Sequence, residues 1–112
     1  MNLNSAGLDL KDIHQQPQEA MTLYAVVLAW KPARIFEVGT FCGGSARIIC
    51  QAMIDNGTGA TPERVFLIDP MLRLSNDNAE FLRGKATTIE EGFPRAFVRL
   101  PDQDRGFDMA FH

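Results

Sequence analysis

Glu37, Gly39, Gly43 and Asp69 are the residues whose types and spacing could do chemistry in this chain of 112 residues. The first three lie in Arg34-Ile35-Phe36-Glu37-Val38-Gly39-Thr40-Phe41-Cys42-Gly43-Gly44-Ser45, an apolar run that turns through glycines into a helix start. Glycines let backbone approach a ligand with no Cβ in the way. A helix beginning at Gly44 or Ser45 offers unpaired N–H groups to an anion. Glu37 stands just before the first glycine, where it would repel a phosphate. The second apolar run, Val65-Phe66-Leu67-Ile68, ends in another acid, Asp69.

Spacing separates the nucleotide-type readings of this turn. A phosphate-binding loop needs Gly-x-x-x-x-Gly-Lys-Ser/Thr, and the frame from Gly39 gives Gly44-Ser45-Ala46 with no lysine. A dinucleotide fingerprint needs Gly-x-Gly-x-x-Gly, and the same frame puts Phe41 where backbone must lie against pyrophosphate. What remains is Glu-x-Gly-x-x-x-Gly, with an acid closing the next strand.

That pattern resembles the class I S-adenosylmethionine-dependent methyltransferases. Phe36-Glu37-Val38-Gly39-Thr40-Phe41-Cys42-Gly43-Gly44-Ser45-Ala46 is similar to the first motif of their small-molecule O-methyltransferase branch, the catechol-type enzymes and relatives, which commonly replaces the middle glycine with a bulkier residue. The resemblance implies S-adenosyl-L-methionine as cofactor. It implies Glu37 facing the methionine portion and its ammonium, and Gly39 and Gly43 letting the backbone pass close. It further implies N–H groups from Thr40, Phe41 and the residues up to Ser45 for the carboxylate, and Asp69 accepting from both ribose hydroxyls. Many relatives end the third strand in Gly-Asp-Ser, the acid near the adenine amino group; Gly84-Lys85-Ala86 stands here, and that contact is expected to be absent. Catechol-type enzymes place a metal-binding acid just after the fourth strand, where this sequence reaches His112. We therefore expect a domain truncated after its fourth strand, without metal, that binds cofactor and turns over little by itself.

The elements that must position these residues follow from pattern. Residues 1–16 are polar and without sustained period, and read as a flexible arm with one helical turn around Leu8–Ile13. Residues 17–112 form the partial Rossmann-like domain. A helix starts at Pro17, carries Glu19 near its N-terminus and shows an apolar stripe of Met21, Tyr24, Val27 and Leu28. Ala25, Val26, Ala29 and Trp30 make it apolar nearly all round, as in a helix covered on two sides or awaiting a partner. Arg34–Val38 and Arg64–Ile68 read as strands joined through a helix over Ser45–Asn56, which implies a right-handed parallel crossover. Further on, Ala79–Arg83 reads as a third strand, Thr87–Phe97 as a broken helix and Gly106–Phe111 as a fourth strand. The expected architecture is α/β, a parallel sheet in the order 3-2-1-4 with flanking helices.

Composition excludes other classes. A net charge of −3 gives no broad attraction to nucleic acid or acidic membranes. The apolar stretch Ala20–Trp30 is far short of the roughly 20 residues that span a bilayer. Residues 1–19, polar and mildly acidic, read as carrying no secretory signal. Cys42 and Cys50 match neither a zinc pair nor a redox pair and read as packing residues, so a cytoplasmic location is expected. Glu37 as a helix-capping acid and Asp69 as a plain turn residue are the structural alternatives. His14 and His112 read as solvated, and Glu90-Glu91 as a solvated helix face. Functionally, the partner is expected to be a small-molecule methyl acceptor, with oxygen the atom methylated. The alternative is a non-catalytic Rossmann-like module that oligomerises or docks through the edge of strand four and helix 20–30. A nicotinamide-binding domain is the third reading, favoured by Asp69 and opposed by Phe41.

Overall fold

The computed structural model describes residues 17–92, 95 and 109–111. The first element, α1 (Pro17–Trp30), has proline at its first position and Glu19 in its first turn, both suited to a helix N-terminus. It buries Ala20, Leu23, Tyr24 and Val27, the i, i+3, i+4, i+7 spacing of one face. Met21 and Leu28, expected in the stripe, are half-buried at its margin. Two cross-links fix α1 to the next helix. The Tyr24 hydroxyl donates to Asp55 Oδ2 at 2.5 Å, and Asn56 Nδ2 donates to the Val27 carbonyl at 3.1 Å.

Strand β1 (Ile35–Val38) leads into α2 (Gly44–Asp55), then β2 (Val65–Ile68), α3 (Asn76–Leu82), β3 (Thr87–Ile89) and β4 (Met109–Phe111). The strands lie in the order β3-β2-β1-β4, and every pairing is parallel. Ile35 pairs with Val65, Val38 with Ile68, and Ile68 in turn with Ile89, so the three strands end level with one another. Alternation then sorts their side chains by face. Ile35, Val65 and Leu67 pack with Leu23, Val27, Ile48, Ile49, Met53 and Leu82 into the main core under the helices. Phe66, Ile68 and Ile89 form a smaller cluster with Phe36. All four residues of β2 are buried, as befits a central strand of a parallel sheet.

The expected α/β class, with a parallel sheet and flanking helices, is what the structure has. Its third crossover differs from expectation in two places. Residues 76–82 form a helix where a strand was expected at Ala79–Arg83, and Thr87–Ile89 forms a strand where a helix was expected. The helix is nucleated by Ser75, whose hydroxyl accepts from Asn78 N at 3.2 Å, with Asp77 in the first turn. That is a well-formed N-cap. Thr87, Thr88 and Ile89 are all β-branched, and such side chains favour a pleated strand over a helix. The N-terminal arm, His14, His112 and residues 106–108 at the head of the expected fourth strand lie outside the described residues.

Candidate functional site

The C-terminal ends of β1, β2 and β3 meet at one edge of the sheet. Gly39 N donates to the Ile68 carbonyl at 2.8 Å and Asp69 N to the Ile89 carbonyl at 3.1 Å, extending the ladder one step past each strand. From Gly39 the chain turns sharply. Gly39, Phe41 and Gly43 all have positive φ, at 83°, 56° and 95°. Glycine adopts such values freely; for Phe41 the left-handed conformation costs about 1 kcal/mol. That residue is held there from both sides. Its N–H donates to Asp69 Oδ2 at 2.8 Å, and its carbonyl accepts from Arg73 N at 3.3 Å. The Phe41 side chain is 49% exposed at the mouth of the turn, and Met71 on the neighbouring loop is also exposed.

Asp69 is thus a structural hub as well as a candidate ligand. Its second oxygen, Oδ1, accepts from Met71 N at 2.8 Å, which is the local turn expected of an Asp before proline. Each carboxylate oxygen keeps a further lone pair beyond the N–H it already accepts. The turn expectation holds, and the tie to Phe41 is added to it.

Glu37 is the more unusual group. It is 2% exposed, and among the described residues neither carboxyl oxygen has a hydrogen-bond partner. The Thr40 hydroxyl, also buried, lacks one too. Burial pushes the Glu37 carboxyl up from 4.5 to about 7, since removal from water disfavours the charged form. The Ser45 and Thr40 hydroxyls pull it partly back, although neither makes a hydrogen bond of good geometry, and the like charge of Asp69 pushes it up further. Glu37 does not cap α2: that helix begins after Gly43 with no side-chain cap. The capping alternative therefore fails, and among the described residues no side-chain cap closes the start of α2.

Within the turn the other expected donors divide. Phe41 N is committed to Asp69, and Gly43 N to the Thr40 carbonyl at 3.1 Å, so the donors for an anion narrow toward Gly44 and Ser45. The reason for glycine at 43 also changes. A Cβ there would lie 2.8 Å from Leu74 Cδ2 and 3.2 Å from Asn78 Cβ, so the missing side chain makes room for Leu74 and α3. Asn78, fully buried, completes this contact by donating from Nδ2 to the Cys42 carbonyl at 3.0 Å and accepting from Arg47 Nη1 at 3.3 Å. The same carbonyl accepts from Ser75 N at 3.1 Å. Asn78 carried no recognisable signal in the sequence; the Ser75 cap that places it did.

Glu90 and Glu91 directly follow β3, the one exposed and the other half-buried, instead of lying on a helix. With Thr87, Thr88 and Ile89 they line an open cavity of about 420 Å³. The signal that would have found them is the β-branched triplet followed by acids. Cys42 and Cys50 are free thiols, and Cys50 is wholly buried in the main core. Among the described residues no group of His, Cys, Asp and Glu could hold a metal, and no helix is long and apolar enough to cross a membrane.

No family model matches the sequence, and no curated protein matches it significantly. Solved structures do match the fold. Cofactor-bound Rv0187 from MTB superposes with a TM-score of 0.67 at 17% identity, over 96% of this chain and 47% of that one. A putative O-methyltransferase from Klebsiella pneumoniae gives 0.63 at 19%, over 97% and 48%. The O-methyltransferase TomG from Streptomyces achromogenes, involved in tomaymycin synthesis and solved in complex with SAM, gives 0.58 at 25%, over 96% and 51%. The fold is the Rossmann-like one of these three structures, and the chain spans about half the length of each.

Proposed function

We propose that this chain is the S-adenosylmethionine-binding part of a class I methyltransferase of the small-molecule O-methyltransferase branch, comprising strands in the order 3-2-1-4. The observation that carries the reading is the Glu37 carboxyl, buried and without a partner beside the uncapped start of α2. A buried acid of this kind is costly unless a cation meets it, and the methionine end of the cofactor brings an ammonium and a carboxylate together. Glu37 suits the first and the N–H groups of Gly44 and Ser45 suit the second. Gly39, Thr40 and Phe41 shape the turn, with Gly43 holding it against α3. Asp69 retains one acceptor position on each oxygen for the two ribose hydroxyls, and Glu90 or Glu91 at the end of β3 is placed for the adenine amino group.

When bound, the cofactor supplies an electrophilic methyl on a sulfonium. The part of this chain is to orient it and exclude water, which is where most of the rate advantage of an in-line displacement arises. Methylation of oxygen on a small molecule, in the cytoplasm, is the activity we assign to the whole protein. We expect residues 17–112 to behave as the cofactor-binding unit, with little turnover unless an acceptor site is supplied. Calorimetric titration of the folded chain with S-adenosylhomocysteine tests this: saturable heat is expected, and no heat at millimolar ligand refutes it.

One observation favours a docking role in addition. Trp30 is 63% exposed, and Val26 on the same face of α1 is exposed as well, which fits a homo-oligomer or partner contact through this helix. Sedimentation equilibrium of the wild type and of Trp30→Ala measures it, and a wild type that is monomeric at high concentration excludes self-association.

A further inference from the structure

We infer that ligand binding at this site is coupled to the loss of a proton from Glu37: on the acid side of neutrality the carboxyl holds a proton in the free protein, and it ionises as the ligand's ammonium docks against it. The inference rests on the cofactor reading proposed above, and it concerns the free state as much as the bound one.

The argument is one of surroundings. β1 brings Glu37 to the helix-covered side of the sheet, the side of Ile35 and Leu67, and leaves it 2% exposed. Among the described residues, the groups gathered around it fail to stabilise a negative charge. From the end of β2 comes Asp69, an acid whose own oxygens are engaged by Phe41 N and Met71 N. From α2 comes Cys50, a thiol that burial pushes up to about 12, with Lys85 pulling it partly back and Glu37 adding a smaller push. The ammonium of that lysine is taken up by the Phe81 carbonyl at 2.7 Å and lies over the Phe81 ring. From the turn come the Thr40 and Ser45 hydroxyls, neither well aligned. A carboxylate so placed is better off protonated. An ammonium arriving within contact distance reverses the balance, because a paired charge is tolerated where a lone one is not. The step is balanced: the neutral acid and the ammonium become a carboxylate–ammonium pair, and one proton leaves to solvent.

The coupling has a definite size. With the carboxyl titrating at about 7 when free, binding releases about half a proton at pH 7 and nearly a whole one at pH 6. The competent, ionised fraction falls roughly tenfold between pH 8 and pH 6, and apparent affinity falls with it.

The test is isothermal titration of the full chain with S-adenosylhomocysteine in buffers of different ionisation enthalpy, at pH 6, 7 and 8. A linear dependence of the measured enthalpy on buffer ionisation, steepest at pH 6, is expected. With Glu37→Gln the dependence should vanish, and with 5′-methylthioadenosine, which lacks the amino-acid tail, any binding should release no proton. Binding without buffer dependence at pH 6 and 7 overturns the inference and leaves the cofactor reading intact. Proton release that persists in Glu37→Gln overturns it as well, by assigning the proton elsewhere. Absence of binding at every pH overturns the cofactor reading, and the inference with it.

Discussion

Replacing Glu37 by Gln should flatten the pH dependence of the stability of the ligand-free chain. Folding raises this carboxyl from 4.5 to about 7, so the folded state holds the proton more tightly than the unfolded one. Its contribution is therefore most favourable below pH 4.5 and is lost as pH rises through 7. Each pKa unit corresponds to about 1.4 kcal/mol, and the part of the shift that falls between pH 5 and pH 8 amounts to about 2–3 kcal/mol. Gln keeps the shape of the side chain, carries no charge, and can donate to the Thr40 hydroxyl, which has no partner. Urea unfolding of both proteins at pH 5, 6, 7 and 8 measures the effect. The two should be similar at pH 5 and diverge steadily, with Gln the more stable by about 2–3 kcal/mol at pH 8. Parallel stability curves would refute the reasoning, since they would mean that Glu37 titrates normally or finds a partner in the folded state.

Asp69→Ala removes the acceptor of two backbone N–H groups and should cost about 2–3 kcal/mol in urea unfolding; a loss within 0.5 kcal/mol would show that the turn holds itself. Gly43→Ala should destabilise by ~2 kcal/mol, from a Cβ meeting Leu74 and Asn78 and a φ of 95° that alanine disfavours. Adding Leu74→Ala should relieve the clash only in part, because Asn78 Cβ remains at 3.2 Å, and the φ penalty stays as well. Native protein at pH 8 should yield at most one of its two thiols to Ellman's reagent, since Cys50 is buried and pushed up to about 12, and both thiols in urea.

The first half of the site was legible because its signals are local. Pro17, the apolar run before Gly39 and the glycines after it each dictate backbone geometry within a few residues, and the elements from α1 to β2 fall where those signals put them. The region after Asp69 was misread because two local signals compete there. Ala79–Arg83 reads as a strand, while the Ser75 cap and Asp77 specify a helix start, and a cap decides the conformation of the whole first turn. Moving the third strand to Thr87–Ile89 brings Glu90 and Glu91 to the C-terminal edge of the sheet. The role of Gly43 was hidden for a different reason. A motif records that glycine stands at a position, and here the neighbour that demands it is α3, which sequence spacing does not reveal. Nor could the sequence show that Glu37 lacks a partner among the described residues, since that depends on how β1, β2 and α2 come together.

The tie between Phe41 N and Asp69 joins residues 28 positions apart in the chain, and it bears on the order of events in folding. The glycine turn cannot be locked by local interactions alone, because the acceptor that holds Phe41 in its left-handed conformation arrives only when β2 is laid beside β1. The turn should therefore form late, after the β1–α2–β2 crossover has condensed. Substitutions at Asp69 should speed unfolding while leaving the folding rate nearly unchanged, the behaviour of a position with φ-value near zero. A nascent chain that has emerged only as far as α2 would carry the whole glycine motif and yet have no binding site.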